Sequence, residues 1–424
     1  MRDAIAEFQG YNRDFARRNP ELLRLKVERM AASPFAFFRG TFHLFARDIL
    51  DGVFEGVTQA PHAEAEVDLV GDLHSENFGT FRGVDGIVHY DVNDFDETTH
   101  GRFGFDVRRQ AASLLLAARE RGDSLEDAVL AALAFLSRYA DAVKRMLKKG
   151  RELDLDVSEK SPSGSRAIDQ LVRTAAANKR SAFIEKLTRF ENERRQIHRS
   201  VHYFNLPEEE RQQALRLLED YRGRLQDPPE GDFFQVEDVC GRVSGIGSMG
   251  RFRYVVLVTG KGSREARNRL LEFKESRPSA YDLHRGRDND AASLVARAER
   301  VIAVQRASQV SSNPHLGFAI DGGMSFQVRE LGPRETRLDF KALPSAEAMR
   351  EVARGQADVL ARIHARAAAR VIGVANPLAE LGDAEAFCER TLAFALAYAD
   401  LARQDWSRFV GRRAEIDHCE EWAS

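Results

Sequence analysis

The hexapeptide Gly245-Ile246-Gly247-Ser248-Met249-Gly250 constrains the fold most, because a strand-like run comes directly after it. Glycines at this spacing suit two backbones: a turn that opens a helix, as in dinucleotide folds, or a hairpin lying over phosphates. The next residues, Arg251-Phe252-Arg253-Tyr254-Val255-Val256-Leu257-Val258, are rich in β-branched and aromatic types. Such side chains fit a pleated strand better than a helix. The pattern predicts two strands, the first at 239–243, joined by a glycine-rich loop. A plain flexible hairpin is the alternative.

The region after Asp232 continues in the same manner. Leu270-Leu271-Glu272-Phe273-Lys274-Glu275 reads as a third strand, and 291–309 as a helix. Residues 317–320 and 325–329 read as a strand pair turning at Asp321-Gly322-Gly323. Lys274, on the strand after the hairpin, stands where an ammonium group can reach nucleotide phosphates. Glu299 on the following helix is the acid expected to orient it. A solvent-facing lysine is the competing reading.

Elsewhere the apolar period is helical. Residues 1–30, 125–148, 346–370 and 383–412 are predicted helices, another helix is expected from Asp106 onward, and short strands are expected at 67–70 and 86–92. Ser33-Pro34-Phe35-Ala36-Phe37-Phe38-Arg39-Gly40 is expected in the core, since clustered phenylalanines are mostly buried. Turn-forming stretches at 158–165 and 226–232 bracket a charged helical segment, 166–225, rich in Arg and Lys, Arg173, Lys179, Arg180 and Arg189 among them. A solvated helical face is the plain reading, and a phosphate- or partner-binding patch the sharper one. The chain thus divides into four parts: 1–150, a helical insert at 151–232, a β-rich part at 233–335, and 336–424.

Two acidic segments carry the chemistry. In Gly71-Asp72-Leu73-His74-Ser75-Glu76-Asn77, an Asp precedes an Asn by five positions in a loop after a strand. That arrangement suits an Asp that accepts a hydroxyl proton and an Asn whose carbonyl oxygen holds Mg²⁺. A polar turn is the alternative. In Asp91-Val92-Asn93-Asp94-Phe95-Asp96-Glu97, four carboxylates crowd seven residues. They repel unless a cation intervenes, and hard oxygen donors suit Mg²⁺. An exposed acidic loop is the alternative. Asp106, opening a helix, is expected to cap or brace backbone rather than react.

Composition excludes several classes. The chain has 424 residues, 43% of them hydrophobic, enough for a large core and more than one lobe. Lys plus Arg number 63 and Asp plus Glu 66, a net charge of -3 that argues against a dedicated nucleic-acid binder. Cys240, Cys388 and Cys419 lie far apart, and with the eleven His they form no zinc-ligand spacing or disulfide framework. No run approaches a membrane span or a secretory leader, so a cytoplasmic protein is expected.

Taken together, Gly71-Asp72-Leu73-His74-x-x-Asn77, Asn93-Asp94-Phe95-Asp96 and Phe105-Asp106-Val107 resemble the catalytic segment of aminoglycoside phosphotransferases and choline kinases. The whole chain also resembles a bacterial family catalogued as domain of unknown function 2252. Ser33–Gly40, Asn93-Asp94-Phe95-Asp96-Glu97-Thr98 and Tyr398-Ala399-Asp400 carry that likeness. The resemblance implies an α+β, two-lobed protein-kinase-like fold, with a small antiparallel β lobe and a larger helical lobe. It implies Asp72 as the catalytic residue and Asn77, Asp94 and Asp96 as Mg²⁺ ligands. It places Gly245, Gly247, Ser248, Gly250, Lys274 and Glu299 at the nucleotide, with ATP as donor and an unidentified hydroxyl compound as acceptor. No nucleic-acid or membrane partner is implied.

The order departs from that family, because the glycine loop and Lys274 come about 170 residues after Asp72. Ala357–Ala365 resembles the helix that normally leads into the catalytic loop, and Arg329-Glu330-Leu331-Gly332 resembles a hinge. A circularly permuted arrangement is therefore expected, which site geometry can tolerate. Two residues also depart: Val70 stands where His is common, and Asp96 where protein kinases have Gly. A nucleotide-binding regulatory module and a nucleotidyl transferase acting on protein are the alternative functions.

Overall fold

The protein, seen as a computed structural model, is described over residues 2–54, 66–149, 155–191, 194–227, 233–260, 267–286, 293–369, 383–418 and 421–422. It is a mixed α+β structure, with small antiparallel sheets set against a larger helical part.

The chain opens with four helices: α1 (Ala4–Arg18), α2 (Pro20–Ala31), α3 (Pro34–Gly40) and α4 (Phe42–Leu50). The single helix predicted for 1–30 is two. Asn19 accepts a hydrogen bond from the Leu22 N–H at 3.0 Å, and Pro20 begins α2. An Asn cap followed by Pro is a helix-start signal that overrides the continuous apolar period. The Phe35–Phe38 stretch is buried in α3, as expected.

Next come β1 (Glu66–Leu69), β2 (Phe78–Arg82), β3 (Val88–Val92) and β4 (Thr99–Arg102). β1 pairs with β4, and β2 with β3, both antiparallel. Strands β2 and β4 are additions to the sequence reading. Helices α5 (Gly104–Arg121) and α6 (Leu125–Lys149) come after them. The predicted helical segment 166–225 is only partly helical. Between α7 (Arg166–Ala177), α8 (Arg180–Leu187) and α9 (Glu208–Gly223) lie a hairpin, β5 (Thr188–Glu191) and β6 (Arg194–Ile197), and the short strand β7 (Tyr203–Phe204). Most of the 226–232 breaker lies outside the described residues.

The β-rich part contains β8 (Val236–Arg242), β9 (Arg253–Val258), β10 (Arg269–Ser276), α10 (Ala280–His284), α11 (Ser293–Ser308), β11 (Gly317–Asp321), β12 (Met324–Leu331) and β13 (Thr336–Arg337). Six strands form one antiparallel sheet in the order β11-β12-β10-β9-β8-β7. Because side chains alternate along a strand, the sheet has two distinct faces. One face, with Val256, Leu271, Phe273 and Val328, packs on Leu217 and Tyr221 of α9. On the other, Lys274 pairs in register with Arg253 and Gln327, and Glu272 with Arg329. Further along that face, Val255, Leu257, Leu270 and Leu331 pack on Ile184 of α8 and Ile197 of β6.

Helices α12 (Ala346–Ala369), α13 (Ala384–Gly411) and α14 (Arg413–Asp417) complete the chain. The largest apolar cluster joins α5, α6, α12 and α13 through residues such as Leu114, Phe135, Leu360 and Phe394. Burying each such side chain contributes about 1.5–3 kcal/mol. Strand β13 pairs with β2, stitching the end of the β-rich part to the β2–β3 hairpin. Among the described residues, no helix is long and apolar enough to cross a membrane.

Candidate active site

The loop after β1 is held by backbone contacts. Gly71 has φ +93°, and a Cβ there would overlap the carbonyl of Glu97, so only glycine fits. Asp106, buried in the first turn of α5, accepts the N–H groups of Val70 at 2.8 Å and Gly71 at 3.0 Å. His364 of α12 lies 3.3 Å from Asp106, and the Tyr139 hydroxyl lies 2.8 Å from the other His364 ring nitrogen. Asp106 thus braces the loop, as the sequence suggested, and His364 packs within α12 as part of the same chain of contacts. Gln356 of α12 donates to the Ser75 carbonyl at 3.0 Å. Asn77, in the 3₁₀ turn Ser75–Asn77, donates its amide to the Asp72 carbonyl.

Asp72 meets Arg109, a wholly buried residue of α5. The Arg109 Nε donates to Asp72 Oδ1 at 2.9 Å. Burial pushes the Asp72 carboxyl above its usual range, and the Arg109 charge opposes that shift. The glycine loop lies close above: a Cβ on Gly247 would sit 3.4 Å from Asp72 Oδ2 and 3.2 Å from the Arg39 carbonyl.

The acidic run is divided among different partners. Asp91 is buried against Arg362 and accepts the Val92 N–H at 2.8 Å. Glu97 pairs with Arg251 and accepts the Ala280 N–H at 2.8 Å. Asp96 is 7% exposed and pairs with Lys274 and Gln327. Asp94 is 44% exposed and faces the cleft, 3.2 Å from Lys274 Nζ. Desolvation in the narrow cleft opposes ionisation of Asp94, but Lys274 and Arg253 prevail and hold its carboxyl well below the usual range. An exposed acidic loop is therefore excluded. Three cations, Arg362, Arg251 and Lys274, pair with all four carboxylates, Lys274 with both Asp94 and Asp96.

A cleft of about 190 Å³ gathers Asp72, Asn77, Asp94, Asp96, Lys274 and the 244–248 loop. Gly245, Gly247 and Ser248 line it, and the Ser248 hydroxyl accepts from Arg253 at 2.8 Å. Gly250, with φ +103°, packs against Phe15 just outside the lining. Glu299 does not orient Lys274: it is exposed on α11, and Lys274 pairs with Asp94 and Asp96 instead. Helix rotation decides which face meets the sheet, and the spacing of Glu299 alone could not set it.

Two features escaped the sequence reading. One is Arg109. Its only signal is the Arg108-Arg109 pair near the start of α5, ahead of a long apolar run. The other is Glu272, fully buried and two positions before Lys274 on the same face. It pairs with Arg242, with Arg253 at 3.1 Å and with Arg329 at 3.0 Å. Burial alone would raise its carboxyl, but the arginines hold it well below the usual range. Its signal was a lone acid within Leu270-Leu271-Glu272-Phe273.

Among the described residues, no group of three or more His, Cys, Asp or Glu is disposed as a metal cage. The donor set nevertheless fits Mg²⁺, which uses one or two carboxylates plus substrate phosphates and water. Asp94 is the open carboxylate, with Asn77 beside it in the lining.

The family model described as "Uncharacterized protein conserved in bacteria (DUF2252)" matches residues 18–412. No match was found among curated proteins or among solved structures.

Proposed function

This chain belongs to the DUF2252 family, and we propose that it is an ATP- and Mg²⁺-dependent phosphotransferase of permuted kinase-like fold. The observation that carries the reading is the meeting of Asp72, Asn77, Asp94 and Lys274 under one glycine loop, from segments up to about 200 residues apart. The strand order β8-β9-β10-β12-β11, with α11 between β10 and β11, resembles the small lobe of kinase-like folds and adds support.

In this reading the Asp72 carboxylate accepts the proton of an acceptor hydroxyl. Its raised pKa makes it a stronger base, while Arg109 favours the ionised form. Lys274, released in part from Asp94, binds phosphate oxygens beside the glycine loop. Mg²⁺, held by Asp94 and Asn77, would neutralise charge on the phosphates. Catalysis then rests on positioning and electrostatics. Calorimetry with Mg-ATP tests it: wild type binds, and Asp94→Asn loses the Mg²⁺-dependent part. Transfer of γ-labelled phosphate should disappear in Asp72→Asn. Unchanged binding and turnover in both variants would overturn the proposal.

One observation favours a second reading, nucleotidyl transfer. Glu272 and Glu335 together leave one of the three arginines around Glu272 unmatched, and the apolar stretch beyond is sealed by Ile184 and Ile197. A polyphosphate tail suits that inner end better than a base does. A nucleotide bound tail-first would present its α-phosphate to the acceptor. Label from α-labelled ATP on the product, with none from γ-labelled ATP, selects this reading.

A further inference from the structure

Glu335 lines the cleft and also a second cavity of about 280 Å³. Five separate segments build this second cavity: the β2–β3 turn, the start of α8, the start of β10, residues 313–315 and the 330–335 connection. Four of them bring one arginine each: Arg82, Arg180, Arg269 and Arg334. Against these four guanidinium groups the lining holds only two carboxylates, Glu330 and Glu335.

Both carboxylates are already engaged. Glu330 is 6% exposed and shared between Arg180 and Arg269, the latter at 3.5 Å. Glu335 is paired at 3.3 Å with Arg329, which lines the cleft. Among the described residues, neither Arg82 nor Arg334 forms an ion pair with a carboxylate, and Arg82 donates instead to the Gly86 carbonyl at 3.1 Å. His315 adds no charge at neutral pH, because burial and the neighbouring Arg269 and Arg180 hold its imidazole down to about 4. It remains a hydrogen-bonding group in the lining.

Guanidinium groups brought together without matching anions repel one another, and the chain uses residues from four segments to keep them together. The planar fork of Arg suits tetrahedral oxyanions, which accept two parallel hydrogen bonds. The volume is near the lower end of small-ligand pockets, roughly 300–1,000 Å³. We propose that this cavity binds a small phosphorylated anion, at a site separate from the cleft. Of the basic residues in the 166–225 segment, Arg180 is the one that reaches it.

The test is calorimetric titration of the full chain with pyrophosphate, without Mg²⁺, at about 0.15 M salt. Lys274→Met disables phosphate binding in the cleft and should leave one binding event. In the Lys274→Met background, adding Arg82→Gln and Arg334→Gln should weaken that event at least tenfold. These two residues lie at the rim and are not buried, and a melting curve checks the fold. The single Arg82→Gln change, on an exposed side chain, should still weaken binding several-fold. Citrate should bind more weakly than pyrophosphate. The proposal is overturned if Lys274→Met abolishes all binding, if the Arg82 and Arg334 changes leave affinity within twofold, or if citrate binds as tightly.

Discussion

The Arg109 guanidinium, without exposed surface, donates to Asp72 Oδ1 at 2.9 Å and is ringed by Phe38, Phe42 and Phe45 at 4.1, 4.7 and 4.9 Å. Arginine does not lose its proton in proteins, so this cation persists at any working pH. Cation–π contacts and the ion pair together offset its desolvation. Replacing it by Lys keeps the charge but loses the fork. Arg109→Lys should fold, transfer phosphate more slowly, and shift the acidic limb of its pH–rate profile upward. Arg109→Met should lose about 3–5 kcal/mol of stability, because a buried carboxylate is left unpaired. A pH–rate profile and a urea melt read the two effects separately.

Glu272 has the opposite environment, a carboxylate touched by three arginines, of which, among the described residues, only Arg329 is shared with a second acid, Glu335. Its pKa in the folded chain is well below 4.5. Such a group stabilises the fold above its unfolded pKa, and that contribution is lost as pH falls through the folded pKa. Glu272→Gln should therefore cost about 3–5 kcal/mol at pH 7. The cost should shrink progressively in melts below about pH 4, where the unfolded wild-type chain takes up the proton.

Lys26, buried in the N-terminal helices, donates to Asn12 at 3.1 Å. Burial, then the nearby Arg251 and Arg277, lower its ammonium to about 7. Between about pH 7 and pH 10 the unfolded chain binds the proton and the folded chain does not. Stability should rise across that window, with a slope of up to about 1.4 kcal/mol per pH unit. Lys26→Met should flatten the slope, which chemical denaturation at pH 7, 8.5 and 10 would measure.

At Gly247, an added methyl group would stand 3.2 Å from the Arg39 carbonyl and 3.4 Å from Asp72 Oδ2. The loop can yield by a few tenths of an ångström, so Gly247→Ala should lower stability by only about 1 kcal/mol. Turnover should fall by about tenfold, because the methyl group occupies the space between loop and Asp72. Turnover within twofold of wild type, measured well below the melting temperature, would contradict that role for the loop.

Much of the architecture could be read from local pattern. The β10 strand, the two-strand turn at 321–323 and the long helices α6, α12 and α13 all carry clear periods. The Asn19-Pro20 break was also present as a local signal, masked by apolar residues on both sides. What could not be read was the pairing of charges across the chain. Asp96 meets Lys274, Asp91 meets Arg362, and Asp72 meets Arg109 only because α5, α12 and β10 stack at particular rotations. The misplaced role for Glu299 has the same origin. Strand β2 was missed because Phe78-Gly79-Thr80-Phe81 is buried on both faces and shows no alternation.

The union of β13 with β2 delays assembly during synthesis. Thr336 and its partner Thr80 are 256 residues apart, and Lys274 comes 180 residues after Asp94. A ribosome adds about 5–20 residues per second, so the acidic loop emerges roughly 10–40 s before its ammonium partner. During that interval its carboxylates must stay in water, and the free edge of β2 has no mate. The cleft therefore cannot assemble progressively from the first residues onward. The delay is longer still for Arg2, which leaves the ribosome early and pairs with Asp405, 403 positions later. Nascent chains halted before residue 336 should consequently lack the closed hairpin edge, whatever their helical content.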